Sequence, residues 1–177
     1  MTAEIRTRRL FLRPVADEDL SDLVRGLSDW RVARNLSPIP FPYTMEDARA
    51  YFPEQQQRRL QSMSGCWVIV NPDFCGIVAV DFEAAEGELG YWLMPHAWGR
   101  GYATEAARAV VDHAFGDRPC AKLTSGHAAD NSASGRVLTK LGFVEIERGE
   151  HYYRPRQVMV SRIRLELTRE RWQALRS

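Results

Sequence analysis

The sequence predicts an α+β fold, a mixed sheet with helices packed on its faces, and three observations carry that prediction. Short apolar runs bounded by turn residues give way, from Gly101 onward, to a helical apolar period. The elements read off the chain run strand, helices, a block of strands, helix, strand, helix, two strands. No internal repeat or low-complexity segment interrupts the 177 residues, and that length suits one domain over residues 1–177 with one sizeable core.

Taken in order, Arg9–Arg13 alternates charged and apolar residues and meets Pro14, as a strand that stops there would. Asp17 or Asp19 can cap a helix carrying Leu20, Leu23, Val24 and Leu27, and a second helical stretch covers about Asp29–Leu36. Pro38, Pro40 and Pro42 make Ser37–Thr44 an extended loop, and residues 37–54 are the least regular stretch, expected as a mobile lid. Thr44 and Asp47 have the spacing of a capping pair ahead of a polar helix to about Gln61. Cys66–Val70 and Gly76–Phe82, joined by Asn71-Pro72-Asp73, read as a hairpin, and Glu88–Met94 as the next strand. Ala103, Ala106, Ala107, Val110, Val111 and Ala114 then mark one face of a helix, mostly alanine, that can lie close to the surface it covers. Lys122–Ala128 reads as a strand, Asn131–Leu141 as a helix closed by Gly142, Phe143–Glu147 and Val158–Leu167 as strands, and Thr168–Leu175 as a terminal helix.

Composition narrows the function classes. A formal charge of +1 provides no global field toward nucleic acid or membrane, and neither is expected as a partner. Arginines do cluster, at Arg6, Arg8, Arg9 and Arg13 and again at Arg154, Arg156, Arg162 and Arg164, and these are expected on solvated strand faces. Three cysteines without CxxC spacing suggest free thiols in a reducing compartment, and four histidines without ligand spacing suggest no metal. With no apolar N-terminal segment and no run of the roughly 20 apolar residues that span a bilayer, a cytoplasmic location is expected.

The chemistry concentrates in Trp98-Gly99-Arg100-Gly101-Tyr102-Ala103-Thr104-Glu105, between a strand and the alanine-faced helix. Gly99 and Gly101 let the backbone approach a ligand, and the helix start directs free N–H groups and a positive dipole end into the turn. That arrangement suits a pyrophosphate. No Gly-Lys-Ser/Thr follows, so it is not a P-loop, and the third glycine of the dinucleotide fingerprint is missing. A plain tight turn before a helix is the alternative.

Gly90-Tyr91-Trp92-Leu93, Pro95 and Trp98 through Ala106 resemble the central motif of the GNAT N-acetyltransferases, in the variant of the RimJ/RimL-like branch. The general motif has Gln or Arg where this chain has Trp98, a departure usual in that branch. Asp130-Asn131-Ser132-Ala133-Ser134 with Val137, Leu138 and Lys140-Leu141-Gly142-Phe143 agrees, as do Thr7, Arg9-Leu10, Leu12-Arg13-Pro14 and Asp19. The resemblance implies a mostly antiparallel sheet of about seven strands with splayed fourth and fifth strands. It implies direct transfer of acetyl from acetyl-CoA to a primary amine in a ternary complex. The acceptor in the nearest branch is a protein N-terminal α-amine, as in the ribosomal-protein alanine and serine acetyltransferases. A small amine (amino acid, polyamine or antibiotic) is the alternative, and a CoA-binding module without turnover a more distant one. A homodimer is an allowed assembly.

By the same resemblance the backbone of Gly99, Arg100, Gly101, Tyr102, Ala103 and Thr104 holds the pyrophosphate. Tyr91, Trp92 and Leu93 offer free backbone groups to the pantetheine arm, an N–H near Leu93 polarises the thioester carbonyl, and Asn131 contacts the arm. Three side chains are candidates for proton handling. Ser134 is placed to hydrogen-bond the thioester sulfur, or else bonds backbone in the first helical turn. Glu88 is the candidate base, acting through burial or a water, or else a solvated strand-end charge. His127 can replace it, or else makes a structural hydrogen bond. Tyr102 and Glu105 also read as packing and as compensation of the helix dipole.

Overall fold

The computed structural model describes residues 4–61, 64–117 and 119–176. The chain order is β1 (Ile5–Arg6), β2 (Phe11–Pro14), α1 (Leu20–Leu27), α2 (Trp30–Ala33), α3 (Met45–Leu60), β3 (Ser64–Val70), β4 (Phe74–Glu83), β5 (Glu86–Leu93), α4 (Tyr102–Gly116), β6 (Lys122–Ala128), α5 (Ser132–Leu141), β7 (Val144–Tyr153), β8 (Val158–Thr168) and α6 (Arg169–Ala174). Eight strands form one sheet in the order β1-β2-β3-β4-β5-β6-β8-β7. Only β5 and β6 run parallel; the other neighbours are antiparallel. No helix among the described residues is long and apolar enough to cross a membrane.

The seven strands expected from sequence are all present. The eighth, β1, pairs Ile5 with Leu12 and Arg6 with Phe11, too short a run to leave an alternating pattern. β7 extends to Tyr153 rather than Glu147, and every residue in it before Tyr153 is exposed, so no buried face advertises it. Within the stretch 37–54 the expected polar helix and its capping pair are present, so the irregular part is confined to residues 37–44. From Met45 onward the stretch is helix, and Thr44 and Asp47 form a capping box, with Thr44 N donating to Asp47 Oδ2 at 2.8 Å and Asp47 N to Thr44 Oγ1 at 3.2 Å.

Strand alternation divides the core between the two faces of the sheet. Trp67 and Ile69 of β3 join Val78, Val80 and Leu89 under α4 and α5, while Cys66 and Val68 face Leu23 of α1. Ala106, Ala107, Val110, Val111 and Ala114 are each at most 2% exposed, so the small side chains do bring α4 close against the sheet. Burying Val110, Val111 and Phe115 contributes roughly 1.5–3 kcal/mol apiece. On the opposite face Gly26 of α1 gives way to the Trp92 ring, which would lie 2.5 Å from a Cβ there. The three cysteines are buried and none is in a disulfide.

The arginine clusters are not simply solvated. Arg13 holds both oxygens of Asp19 at 2.7 Å, and Asp19 is 3% exposed. Arg9, Arg156, Arg162 and Arg164 likewise pair with carboxylates. These residues bind separate segments of the chain together, which composition alone cannot reveal.

Candidate active site

β5 and β6 share three register positions, Glu86–Lys122, Gly87–Leu123 and Glu88–Thr124, and then separate. At the point of divergence side chains take the place of backbone donors. Thr124 Oγ1 donates to the Gly87 carbonyl at 3.4 Å, and Ser125 Oγ to the Leu89 carbonyl at 2.8 Å. Alternation directs the main-chain groups of residues 87, 89, 91 and 93 toward β6 and those of 92 toward β4. The Leu93 carbonyl is already taken, because the Trp98 indole Nε1 donates to it at 2.8 Å. Three main-chain groups therefore face the gap beyond the fork: the N–H and C=O of Tyr91 and the N–H of Leu93.

Trp92 corrects one expectation. Its backbone lies on the β4 side, opposite Ile77, and its ring packs 5.9 Å from Phe74. Its main-chain groups face β4, while its ring is partly buried against the core on the α1 side and also lines the cleft, so it can meet a ligand there only through its side chain.

The glycine turn lies at the end of this gap. Gly99 and Gly101 have φ of +75° and +77°, a region that favours glycine. Gly101 caps α4 without a side-chain hydrogen bond, and its carbonyl accepts from Glu105 N at 3.1 Å. The N–H groups of Tyr102, Ala103 and Thr104 belong to the first turn and have no intrahelical acceptor. A Cβ on Gly101 would meet, among protein atoms, only the Arg9 guanidinium at 3.4 Å, an ordinary contact, so within the protein it is the φ and not crowding that calls for glycine there. Arg9 supports the turn from behind, donating to the Arg100 carbonyl at 2.9 Å. Glu105 accepts from Thr7 Oγ1 at 2.7 Å, Arg9 N at 2.9 Å and Arg9 Nε at 2.7 Å. Burial pushes its carboxyl up, but these bonds outweigh burial and hold it below the usual range. Glu105 is thus an anchor for the N-terminal segment as well as a charge at the helix start. Tyr102 is buried with Arg9 over its ring, in keeping with packing.

Turn and fork open into one cleft of about 1120 Å³. Ser134, His127, Asn131 and Glu88 all line it, but in different settings. The Ser134 hydroxyl lies 2.9 Å from the Tyr91 phenol, which also donates to the Ser134 carbonyl at 3.2 Å. Burial pushes the Tyr91 phenol up to about 12, so it stays protonated near neutrality. When its proton goes to the Ser134 carbonyl or to Oγ, the serine is fixed from one side. Asn131 caps α5, its Oδ1 accepting from Ser134 N at 3.3 Å, which leaves the amide nitrogen as its only donor to the cleft. His127 fits the structural alternative. Its Nδ1 lies 2.8 Å from the Ala128 carbonyl, and its Nε2 is close to α5, 2.9 Å from where a Cβ on Gly135 would be.

Glu88 stands at the fork, with its side chain 61% exposed, and accepts from Arg162 Nη2 at 3.1 Å. Arg162 reaches it from β8 by crossing β6 at Gly126; a Cβ on Gly126 would lie 2.6 Å from Arg162 Nε. Above this pair, two loops close over the cleft. Arg156 donates to both oxygens of Asp130, at 2.8 and 3.0 Å, and to the Arg34 carbonyl at 2.6 Å. Arg34 donates to Asp130 at 3.0 Å, and Arg154 N to the Ser37 carbonyl at 3.0 Å. Hydrogen bonds from Arg156 chiefly hold the Asp130 carboxyl below its usual range, against a smaller effect of burial. The start of the loop after α2 and the β7–β8 turn are therefore tied together, at the beginning of the stretch 37–54 that the sequence marks as a mobile lid.

Sequence reasoning missed Arg162, Tyr153, and Arg136 with Lys140, all of which line the cleft. Arg136 and Lys140 had a signal in their four-residue spacing on α5. Gly126 in mid-strand was the signal for Arg162. Tyr153 had none.

The model of the GNAT acetyltransferase domain matches residues 9–144. An N-acetyltransferase called p20 from Bacillus licheniformis is 27% identical over 77% of this chain and 80% of its own length. Among solved structures, the ribosomal-protein-S5-alanine acetyltransferase of Vibrio fischeri superposes with a TM-score of 0.84 at 17% identity, covering 96% of this chain and 98% of that one. The spermidine N-acetyltransferase of Vibrio cholerae, in complex with CoA and spermine, superposes with a TM-score of 0.81 at 14% identity, covering 94% and 99%. A sheet forked at its one parallel pair, a glycine turn opening α4 and a family match across three quarters of the sequence lead to one conclusion: the chain belongs to the GNAT family of acetyl-CoA-dependent N-acetyltransferases.

Proposed function

We propose that this enzyme acetylates the α-amine of a protein or peptide. The observation that carries the cofactor half of this reading is the set of unpaired main-chain groups, at Tyr91 and Leu93 and in the first turn of α4. Acetyl-CoA supplies an activated acetyl thioester, and its amides and phosphates match those groups in kind. Tyr91 N–H and C=O bind the pantetheine amides as a neighbouring strand would. The N–H groups of 102–104, with the turn at Gly99–Gly101, hold the pyrophosphate, and Arg136 and Lys140 add positive charge nearby. Leu93 N–H, the one open group at the strand end, stabilises negative charge on the acyl oxygen. The Asn131 amide nitrogen donates to the arm, and the Ser134 hydroxyl, held by Tyr91, stabilises charge on the departing sulfur.

The acceptor half rests on Glu88. An α-amine loses its proton at about 7.7–8.0, so a carboxylate acting through one water suffices to complete deprotonation near neutrality. A polyamine needs unpaired acidic groups, whereas Glu88 and Asp130 each already face guanidinium groups. CoA thiol release at saturating acetyl-CoA, with Ala- and Ser-initiated peptides, a lysine-bearing peptide with a blocked N-terminus, and spermidine, tests the reading. The α-amine peptides should show the highest kcat/KM. Preference for spermidine or the lysine side chain would refute it.

A further inference from the structure

Arg162 and Arg156 lie in the same cleft and differ in how fully they are used. Arg156 donates to Asp130 twice, to the Arg34 carbonyl and to Asn35. Arg162 makes one hydrogen bond, Nη2 to Glu88, and among the described residues its Nε and Nη1 donate to no protein acceptor. Yet its side chain is only 21% exposed. A guanidinium withdrawn from water with open N–H groups is costly unless something accepts from them, and its planar fork matches a carboxylate. Its placement depends on Gly126, across which it lies. His151 and Tyr153 line the same cleft and bring no carboxylate to it.

We propose that Arg162 is an anion subsite beside the acceptor amine, so that the preferred acceptor carries a carboxylate within about one residue of the amine it presents. This rests on the α-amine reading above. The Glu88–Arg162 pair then presents two opposite ends to a zwitterion. Glu88, largely exposed, faces the ammonium before it is deprotonated, and the open side of Arg162 faces the carboxylate. The carboxylate can come from a free amino acid or from an acidic residue at the start of a peptide.

The test compares kcat/KM at saturating acetyl-CoA for three acceptors: a C-terminally amidated peptide beginning Ser-Ala, the same peptide beginning Ser-Glu, and free serine. Wild type should favour at least one carboxylate-bearing acceptor over the neutral peptide, mainly through KM, by about ten- to a hundredfold, the range of a charge-assisted hydrogen bond. Which of the two gains identifies the source. Arg162→Gln should abolish the preference, Arg162→Lys should retain part of it, and Gly126→Ala, which keeps the guanidinium but displaces it, should lose most of it. A merely structural role would slow all three acceptors alike and leave their ratio unchanged. Thermal unfolding and acetyl-CoA calorimetry establish that each variant is folded. If wild type acetylates the neutral peptide but gains nothing from a carboxylate, or if the preference survives in Arg162→Gln or Gly126→Ala, the subsite is wrong and the α-amine reading stands. If no α-amine is acetylated, that reading fails and the subsite with it.

Discussion

On the α4 side of the cleft the groups left open are main-chain: Tyr91, Leu93 and the N–H groups that follow Gly101. On the β8 side the polar lining is instead charged side chains paired with one another: Glu88 with Arg162 and, above them, Asp130 with its two arginines. Main-chain groups survive any substitution that preserves the backbone path, so they suit a ligand that never changes. Side chains can be exchanged singly, so they suit a ligand that differs between relatives.

Three substitutions sharpen or break this comparison. The largest effect is expected from the side-chain half. Glu88→Gln should lower the rate at pH 7 by roughly 10²–10⁴, the usual range for a general base. The loss should shrink as pH rises and the amine deprotonates unaided, which a pH–rate profile of the variant reads directly. Wild-type rates at pH 7 would remove Glu88 from the mechanism.

The main-chain half should respond to conformation rather than to side-chain chemistry. Gly101→Val places a β-branched residue at φ of +77°, so the turn must shift. Acetyl-CoA affinity should fall at least about tenfold, or 1.4 kcal/mol, while the fold persists. Calorimetry on the folded variant checks it, and unchanged affinity would mean the turn does not hold the pyrophosphate.

The smallest effect concerns the tied roof. Asp130 is depressed below the ordinary 3.8 in the folded state, mainly by hydrogen bonds from Arg156. Its contribution to stability is therefore present above that ordinary value and lost as pH falls through the lower folded value. Asp130 is about half exposed, so the contribution is small, about 1 kcal/mol or less. Asp130→Asn should melt slightly earlier than wild type at pH 7, and the difference should vanish in strong acid. A gap that persists in acid would assign the effect to something other than the charge.

The same division explains what the sequence disclosed. Gly99, Gly101, Pro95 and the alanine stripe of α4 are local signals, since each fixes a backbone path within a few residues. They made the turn, the helix and the order of elements readable, and Gly142 marked the end of α5 with a φ of +96°. The β8 side of the cleft is assembled from residues distant along the chain. Arg162 meets Glu88 across 74 positions, and Arg156 meets Arg34 across 122. Those contacts depend on strand order and register, which no local pattern encodes. Trp92 shows the same limit at short range. Its neighbours Tyr91 and Leu93 face the gap, but a shift of one residue along a strand reverses direction, and motif position alone did not separate them.

The fork set by Thr124 and Ser125 has a consequence for the lifetime of the protein. Two strand edges lie open inside the sheet, and open edges are templates for pairing with other chains. A ligand that fills the gap acts as a ninth strand and favours the native state by mass action, by about 2.7 kcal/mol at a hundredfold excess over its dissociation constant. Under the proposed binding mode either acetyl-CoA or free CoA supplies that contribution, and a protein stripped of both re-exposes the two edges and loses it.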